Sequence, residues 1–190
     1  GADLSDLYMT MYQDNYKDTT YMPVYDYLHA VNPIKVGTDK MQATMKHATA
    51  GLKITLTNKD GNKMDASIAS ARILVGNIAS RLDYYTAEAS DFTKTVAFPL
   101  TMSTDSMSMS ANSTVMVFPS SDNPPLTIML TLKNGLVKHF RKPLDNALIA
   151  GNRLTLNITL GELYSEETSS DGFEVENWTE STETIDFPAG

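Results

Sequence analysis

Between Asn152 and Leu160 the chain reads NRLTLNITL. Leu154, Leu156, Ile158 and Leu160 alternate with Thr155, Asn157 and Thr159. A strict period of two with one polar side is the mark of a β-strand that buries one face and wets the other. The pattern recurs in LTIMLTL (126–132), where Leu126, Ile128, Leu130 and Leu132 share a face, and in the β-branched TVMVFP (114–119). SIASARILVG (67–76) and TKTVAFPL (93–100) are apolar runs of strand length, the second closed by Pro99. Asn134-Gly135 joins 126–132 to LVKHF (136–140) as a hairpin, because Asn-Gly tolerates the positive φ that such turns need. Asp60-Gly61 in NKDGNK marks a second hairpin turn, and the Ser-rich TMSTDSMSMSANS (101–113) reads as a solvated loop. GNIASRLDYYTAEA (76–89) is the single helical candidate.

One segment departs from simple alternation. In MQATMKHATAGLKITL (41–56), Met41, Ala43 and Met45 are odd-numbered, whereas Leu52, Ile54 and Leu56 are even-numbered. The parity changes across His47-Ala48-Thr49-Ala50-Gly51. A bulge within one long strand would move the later side chains to the opposite face and let the strand turn a corner between two packed sheets. His47 would bond the backbone freed there, and Gly51 would supply a residue free to take φ > 0.

Together these features predict an all-β fold: an antiparallel β-sandwich of seven or eight strands in a transthyretin-like or Greek-key arrangement. Residues 1–39 are rich in Tyr, Asp and Met and are broken by Pro23 and Pro33. They are expected to form a long extended N-terminal segment packing on a domain that spans 40–190.

Composition narrows the function. A net charge of −8 disfavours nucleic acid and anionic membrane as partners, since both require a basic surface. No apolar run approaches the roughly 18 residues of a membrane span. The opening GADLSDLY has no signal-peptide character, and Gly1 reads as a residue left by tag removal, which leaves open whether a targeting segment with a lipidated cysteine preceded residue 2. Cysteine is absent, which removes disulfides and thiolate chemistry.

His29, His47 and His139 have no metal-ligand spacing, and no metal or cofactor is expected. His139, near Lys138 and Arg141, reads as part of a solvated strand face. Glu166-Glu167 and the acids of ENWTESTE lie in polar surroundings and read as solvated charges rather than a glycosidase pair. DGNKMD (60–65) lacks the ligand pattern of a calcium loop. Neither a Gly-x-Ser-x-Gly elbow nor a phosphate loop occurs. Trp178, the one tryptophan, reads as a lid on the end of the core. No enzyme is expected.

Several of these stretches resemble the fimbrillin-like proteins of Bacteroidetes, of the Mfa and FimA pilus-subunit type. The residues concerned are DYLHA (26–30), MQATMKHATAGLKITL, VMVFPS, LIAGNRLTLNITL and FEVENWTES, covering roughly 24–180. His29, Arg153, Leu154 and Asn177 depart from the family's usual residues, and the longer members have two sandwich domains. The resemblance implies a non-catalytic, extracellular structural protein, a subunit or accessory component of pili that works in adhesion. It implies outer-membrane attachment only through a lipid anchor absent from this chain. Other pilus subunits or host surface proteins and glycans would be its partners. It further implies a strand-donor segment near the C-terminus, with Phe173, Val175, Ile185 and Phe187 filling alternate pockets of a neighbour; the alternative is that this segment folds back on its own sheet. A second class remains open: an extracellular glycan-binding sandwich, using exposed Tyr8, Tyr12, Tyr16 and Tyr21 as a stacking row.

Overall fold

The computed structural model describes residues 8–9, 20–21, 23, 28–31, 44–163 and 172–185. Its strands are β1 (Tyr8–Met9), β2 (Thr20–Tyr21), β3 (Leu28–Val31), β4 (Thr44–His47), β5 (Ala50–Asn58), β6 (Ile68–Asp83) and β7 (Ala89–Met102). They continue with β8 (Ser108–Ser110), β9 (Val115–Val117), β10 (Pro125–Leu132), β11 (Val137–Pro143), β12 (Asn152–Leu160) and β13 (Val175–Thr184). The fold is all-β, as the alternation predicts.

Eight strands form one hydrogen-bonded path, β11-β10-β6-β7-β8-β5-β12-β13, and β3 and β4 make a separate pair. The path curls into two layers. One holds β10, β6 and most of β7. The end of β7 then changes partner, with Thr101 and Met102 pairing to β8, which leads into the second layer with β5 and β12. Ile73, Val75, Phe98, Ile128 and Leu130 of the first layer share one core with Leu52, Ile54, Leu154, Leu156 and Ile158 of the second. Each of these aliphatics is the inward half of an alternating strand, so the sandwich is the burial of two such faces against one another.

The sheet is mixed rather than wholly antiparallel. β5 and β12 run parallel from Arg153 opposite Gly51 to Leu160 opposite Asn58. β2 runs parallel to β7. Alternation reports which face is buried and carries no information about strand direction, which tertiary connection decides.

Over its described residues, 44–56, the 41–56 segment is two strands and not one bulged strand. β4 ends at His47 and pairs with β3, while β5 starts at Ala50 and pairs with β9 and β12. Between them Ala48 and Thr49 are buried, so the chain changes sheet there. Gly51 has no positive φ; among the described residues the glycines that do are Gly61, Gly135 and Gly151. Its absent side chain serves close packing, since a Cβ would stand 2.9 Å from Thr114 Cγ2 and 3.3 Å from Arg153.

A true bulge lies elsewhere. The helical candidate at 76–89 is the second half of β6, the turn after it and the first residue of β7. The register between β6 and β7 shifts between Val75 and Ile78, around Asn77 at φ 53°. Buried positions therefore run Ala71, Ile73, Val75 and then Ile78, Ala79, Leu82. The second set has the spacing of a helix face, which is why periodicity misleads there.

Three smaller expectations also change. The 3-10 turn at Lys59–Gly61 is no hairpin, because β5 and β6 are unpaired and the turn carries the chain between layers. The Ser-rich loop contains β8, whose Met109 is buried in the core opposite Leu56. Pro99 does not end its strand, which runs on to Met102 with Pro99 opposite Arg72 of β6 and β8 pairing from Thr101. The Asn134-Gly135 turn is as expected, with Gly135 at φ 90° and Asn134 Oδ1 accepting from the amide of Leu136 at 3.0 Å.

Candidate functional site

β11 and β13 end the strand path, one in each layer, and their side chains meet across the open side of the sandwich. Register puts Trp178 opposite Ile158, Glu180 opposite Leu156 and Thr182 opposite Leu154, so these three belong to the inward face of β13. From β11, Phe140 packs against Trp178 with ring centroids 6.2 Å apart and against Phe173 at 5.7 Å. Lys142 lies over the Trp178 ring, its Nζ 4.6 Å from the centroid, a cation–π contact that covers the indole face.

The connection into β13 closes this side. Gly172 makes a parallel bridge to His139 at the outer edge of β11, and its place favours glycine, since a Cβ would lie 3.0 Å from the His139 carbonyl oxygen. Phe173 follows and is buried. The amide of Gly161 then donates to the carbonyl of Glu174 at 2.9 Å, which starts the pairing of β13 with β12.

Glu180 ties the β11–β12 loop to this edge. It accepts from the backbone amides of Asp145 at 2.9 Å and Asn146 at 3.2 Å, from the Asn146 side-chain amide at 3.1 Å, and from Trp178 Nε1 at 2.9 Å. Burial pushes its carboxyl up. The backbone donation from Asp145 and the bonds from Trp178 and Asn146 outweigh that, and the net effect holds it below its ordinary value.

The sequence-derived residues fall as follows. His47 is buried at the end of β4, and Gly51 lies in β5 against Thr114 and Arg153. Trp178 is half-buried beside the core. Phe173 and Val175 belong to the closing segment, Ile185 donates its amide to Gly151 at 2.7 Å, and Phe187 lies outside the described residues. The segment 175–184 pairs with its own β12. His139 is exposed. Glu166, Glu167, Tyr12 and Tyr16, with the side chains of His29, Tyr8 and Tyr21, lie outside the described residues. Sequence reading missed Glu180 by taking ENWTESTE as uniformly solvated. The parity of Trp178, Glu180 and Thr182 was the signal that one face of this run points inward.

Chemically this edge offers backbone, three aromatics and a clamped carboxylate. Among the described residues no three His, Asp or Glu side chains gather to hold a metal.

The family model for fimbrillin-A associated anchor proteins Mfa1 and Mfa2 matches residues 1–184. No curated protein matches the chain. Among solved structures, a Bacteroides uniformis cell adhesion protein is 19% identical, with a TM-score of 0.44 over 75% of this chain and 52% of that one. A Bacteroides ovatus cell adhesion protein is 11% identical, with a TM-score of 0.47 over 77% of this chain and 49% of that one. The tip fimbrial protein Mfa3 from Porphyromonas gingivalis is 10% identical, with a TM-score of 0.36 over 75% and 52%. The alignments thus span about half the length of these proteins. By the family match, the chain belongs to the fimbrillin-A associated anchor proteins Mfa1 and Mfa2, a family of fimbrial structural and accessory subunits.

Proposed function

We propose that this chain is a non-catalytic accessory or structural component of fimbriae at the bacterial cell surface, with other fimbrial subunits as its partners. The family match over residues 1–184 carries this reading. The architecture is in keeping with it. A sandwich whose path ends in two edge strands offers backbone for contact with neighbouring subunits, and β13 bears Glu176, Glu180 and Glu183, charges that discourage indiscriminate edge pairing. Outer-membrane attachment, on this reading, comes from a lipid anchor; no helix among the described residues is long and apolar enough to cross a membrane.

The test is to tag the full chain in a fimbriated host, shear and purify the fimbriae, and locate the tag by immunoblot and immunogold labelling. The tag should co-purify with fimbriae, and deleting the gene should change their number, length or retention on the cell. A tag found only away from fimbriae, with fimbriation unchanged by deletion, overturns the reading. Turnover of a peptide or glycan panel by the purified chain would overturn its non-catalytic part.

A further inference from the structure

Away from the β11–β13 edge, the outer face of the second layer carries a groove of about 660 Å³. Thr55, Thr57, Ser108 and Thr159 line its floor, and more of the accessible lining is carbon than polar atom. Thr55 and Thr57 are outward residues of β5 that alternate with the buried Ile54 and Leu56, and Lys53 precedes them on the same face. Register sets Ser108 of β8 beside Thr57 on one side and Thr159 of β12 on the other. Thr57 and Thr159 have their Oγ1 atoms 3.3 Å apart. One wall is the turn Asp60-Gly61-Asn62, and the other is Met107, which is exposed.

Both walls are built rigidly. Asn58 Oδ1 accepts from the Lys59 amide at 2.9 Å, Asn58 Nδ2 donates to Lys63 O at 2.8 Å, and the Asn62 amide donates to Lys59 O at 3.1 Å. Asp105 accepts from Ser103 Oγ at 2.7 Å and from the Met107 amide at 3.0 Å. The Met64 amide donates to Ser106 O at 2.8 Å, joining one wall to the other. Asp60 at φ 58° and Ser106 at φ 60° are left-handed residues other than glycine, one in each wall, a conformation that persists only where the surroundings impose it.

We propose that this groove binds a neutral saccharide unit of a glycan. β5 lies inside its layer, paired to β8 on one side and β12 on the other, so its backbone is committed and a peptide strand finds no edge to join. What remains available is threonine methyl and side-chain hydroxyl, the Asn62 amide, the Asp60 carboxylate and the thioether of Met107. Hydroxyls and a carboxylate match the alternating donors and acceptors of a sugar ring, and Met107 offers an apolar surface for its C–H face. Asp60 is the sole ionised side chain of the lining, and the neighbouring Lys59 is engaged with Glu162, so an anionic ligand is disfavoured. The volume lies within the range of small-molecule sites. This site stands apart from the fimbrial reading and needs none of it.

The experiment uses the full chain, labelled with ¹⁵N and titrated with the methyl glycosides of glucose, galactose, mannose and N-acetylglucosamine. N-acetylneuraminic acid serves as an anionic comparison and trialanine as a peptide comparison. At least one neutral glycoside should shift the amides of Thr55, Thr57, Ser108 and Thr159 saturably, with a Kd on the order of 1 mM. Thr57→Val and Asp60→Asn should each weaken that binding roughly tenfold or more. Asp60 is exposed and asparagine tolerates its φ, so Asp60→Asn keeps the test open should Thr57→Val fail to fold. No shift with any of the four glycosides overturns the proposal. So do shifts confined to the exposed Tyr84–Tyr85 hairpin, tighter binding of the acid or the peptide, or unchanged affinity in Asp60→Asn.

Discussion

Trp178 Nε1 donates to the Glu180 carboxylate at 2.9 Å, two residues along the same inward face of β13. The same carboxylate accepts the amides of Asp145 and Asn146, so one side chain fixes the indole and the β11–β12 loop together. Glu180→Gln should lower stability by about 1–2 kcal/mol at neutral pH, a charge-assisted network reduced by partial exposure. Chemical denaturation with tryptophan fluorescence measures this, and the emission of Trp178 should shift even before unfolding.

The same carboxylate gives the stability a pH dependence. Its pKa in the fold lies below the ordinary value of 4.5. A depressed carboxyl contributes its full stabilisation above the unfolded pKa and loses it as pH falls through the folded one. The midpoint of urea unfolding should therefore fall as pH drops below 4.5, and Glu180→Gln should flatten that part of the curve. An identical slope in the variant would assign the acid sensitivity to other carboxyls.

We propose that His47 stabilises the passage from β4 to β5, where it is buried beside Ala48 and Thr49. His47→Ala should cost about 1–3 kcal/mol, the range for disturbing a buried polar group. A melting temperature equal to that of the parent would remove the histidine from any structural role.

Gly51 is constrained by space rather than by φ. Gly51→Ala puts a methyl 2.9 Å from Thr114 Cγ2, inside normal contact distance, and should destabilise by about 1–3 kcal/mol. Thr114→Ser removes that methyl, so the double variant Gly51→Ala with Thr114→Ser should recover much of the loss in thermal unfolding.

We propose that the segment from Phe173 onward is needed to complete the sandwich, with β13 covering β12. Deleting residues 173–190 uncovers β12 as an edge and should promote aggregation. In the intact chain the two destinations of the segment separate cleanly. A self-completed sheet stays monomeric with β13 amides protected from hydrogen exchange, and strand donation gives concentration-dependent oligomers that survive mild detergent. Analytical ultracentrifugation across concentrations distinguishes them.

What the sequence determined by itself is the face that a regularly alternating strand buries. The inward set of Leu126, Ile128, Leu130 and Leu132, and that of Leu154, Leu156, Ile158 and Leu160, are all buried as alternation requires. A side chain's face depends only on its place in the local pleat, so a short window suffices. The Asn134-Gly135 turn was legible for the same reason. Partners and directions were not. The parallel pairing of β5 with β12, the move from β4's sheet to β5's, and the Asn77 bulge that gives β6 a helix-like spacing all depend on residues far apart in the chain. Glu180 and the hydroxyl groove were hidden likewise: the first acquires its donors from the 145–146 loop, and the second is assembled from β5, β8 and β12. Local sequence encodes the pleat. Only the packed sandwich, in which non-local contacts repay the entropy of bringing distant strands together, chooses which pleats lie side by side.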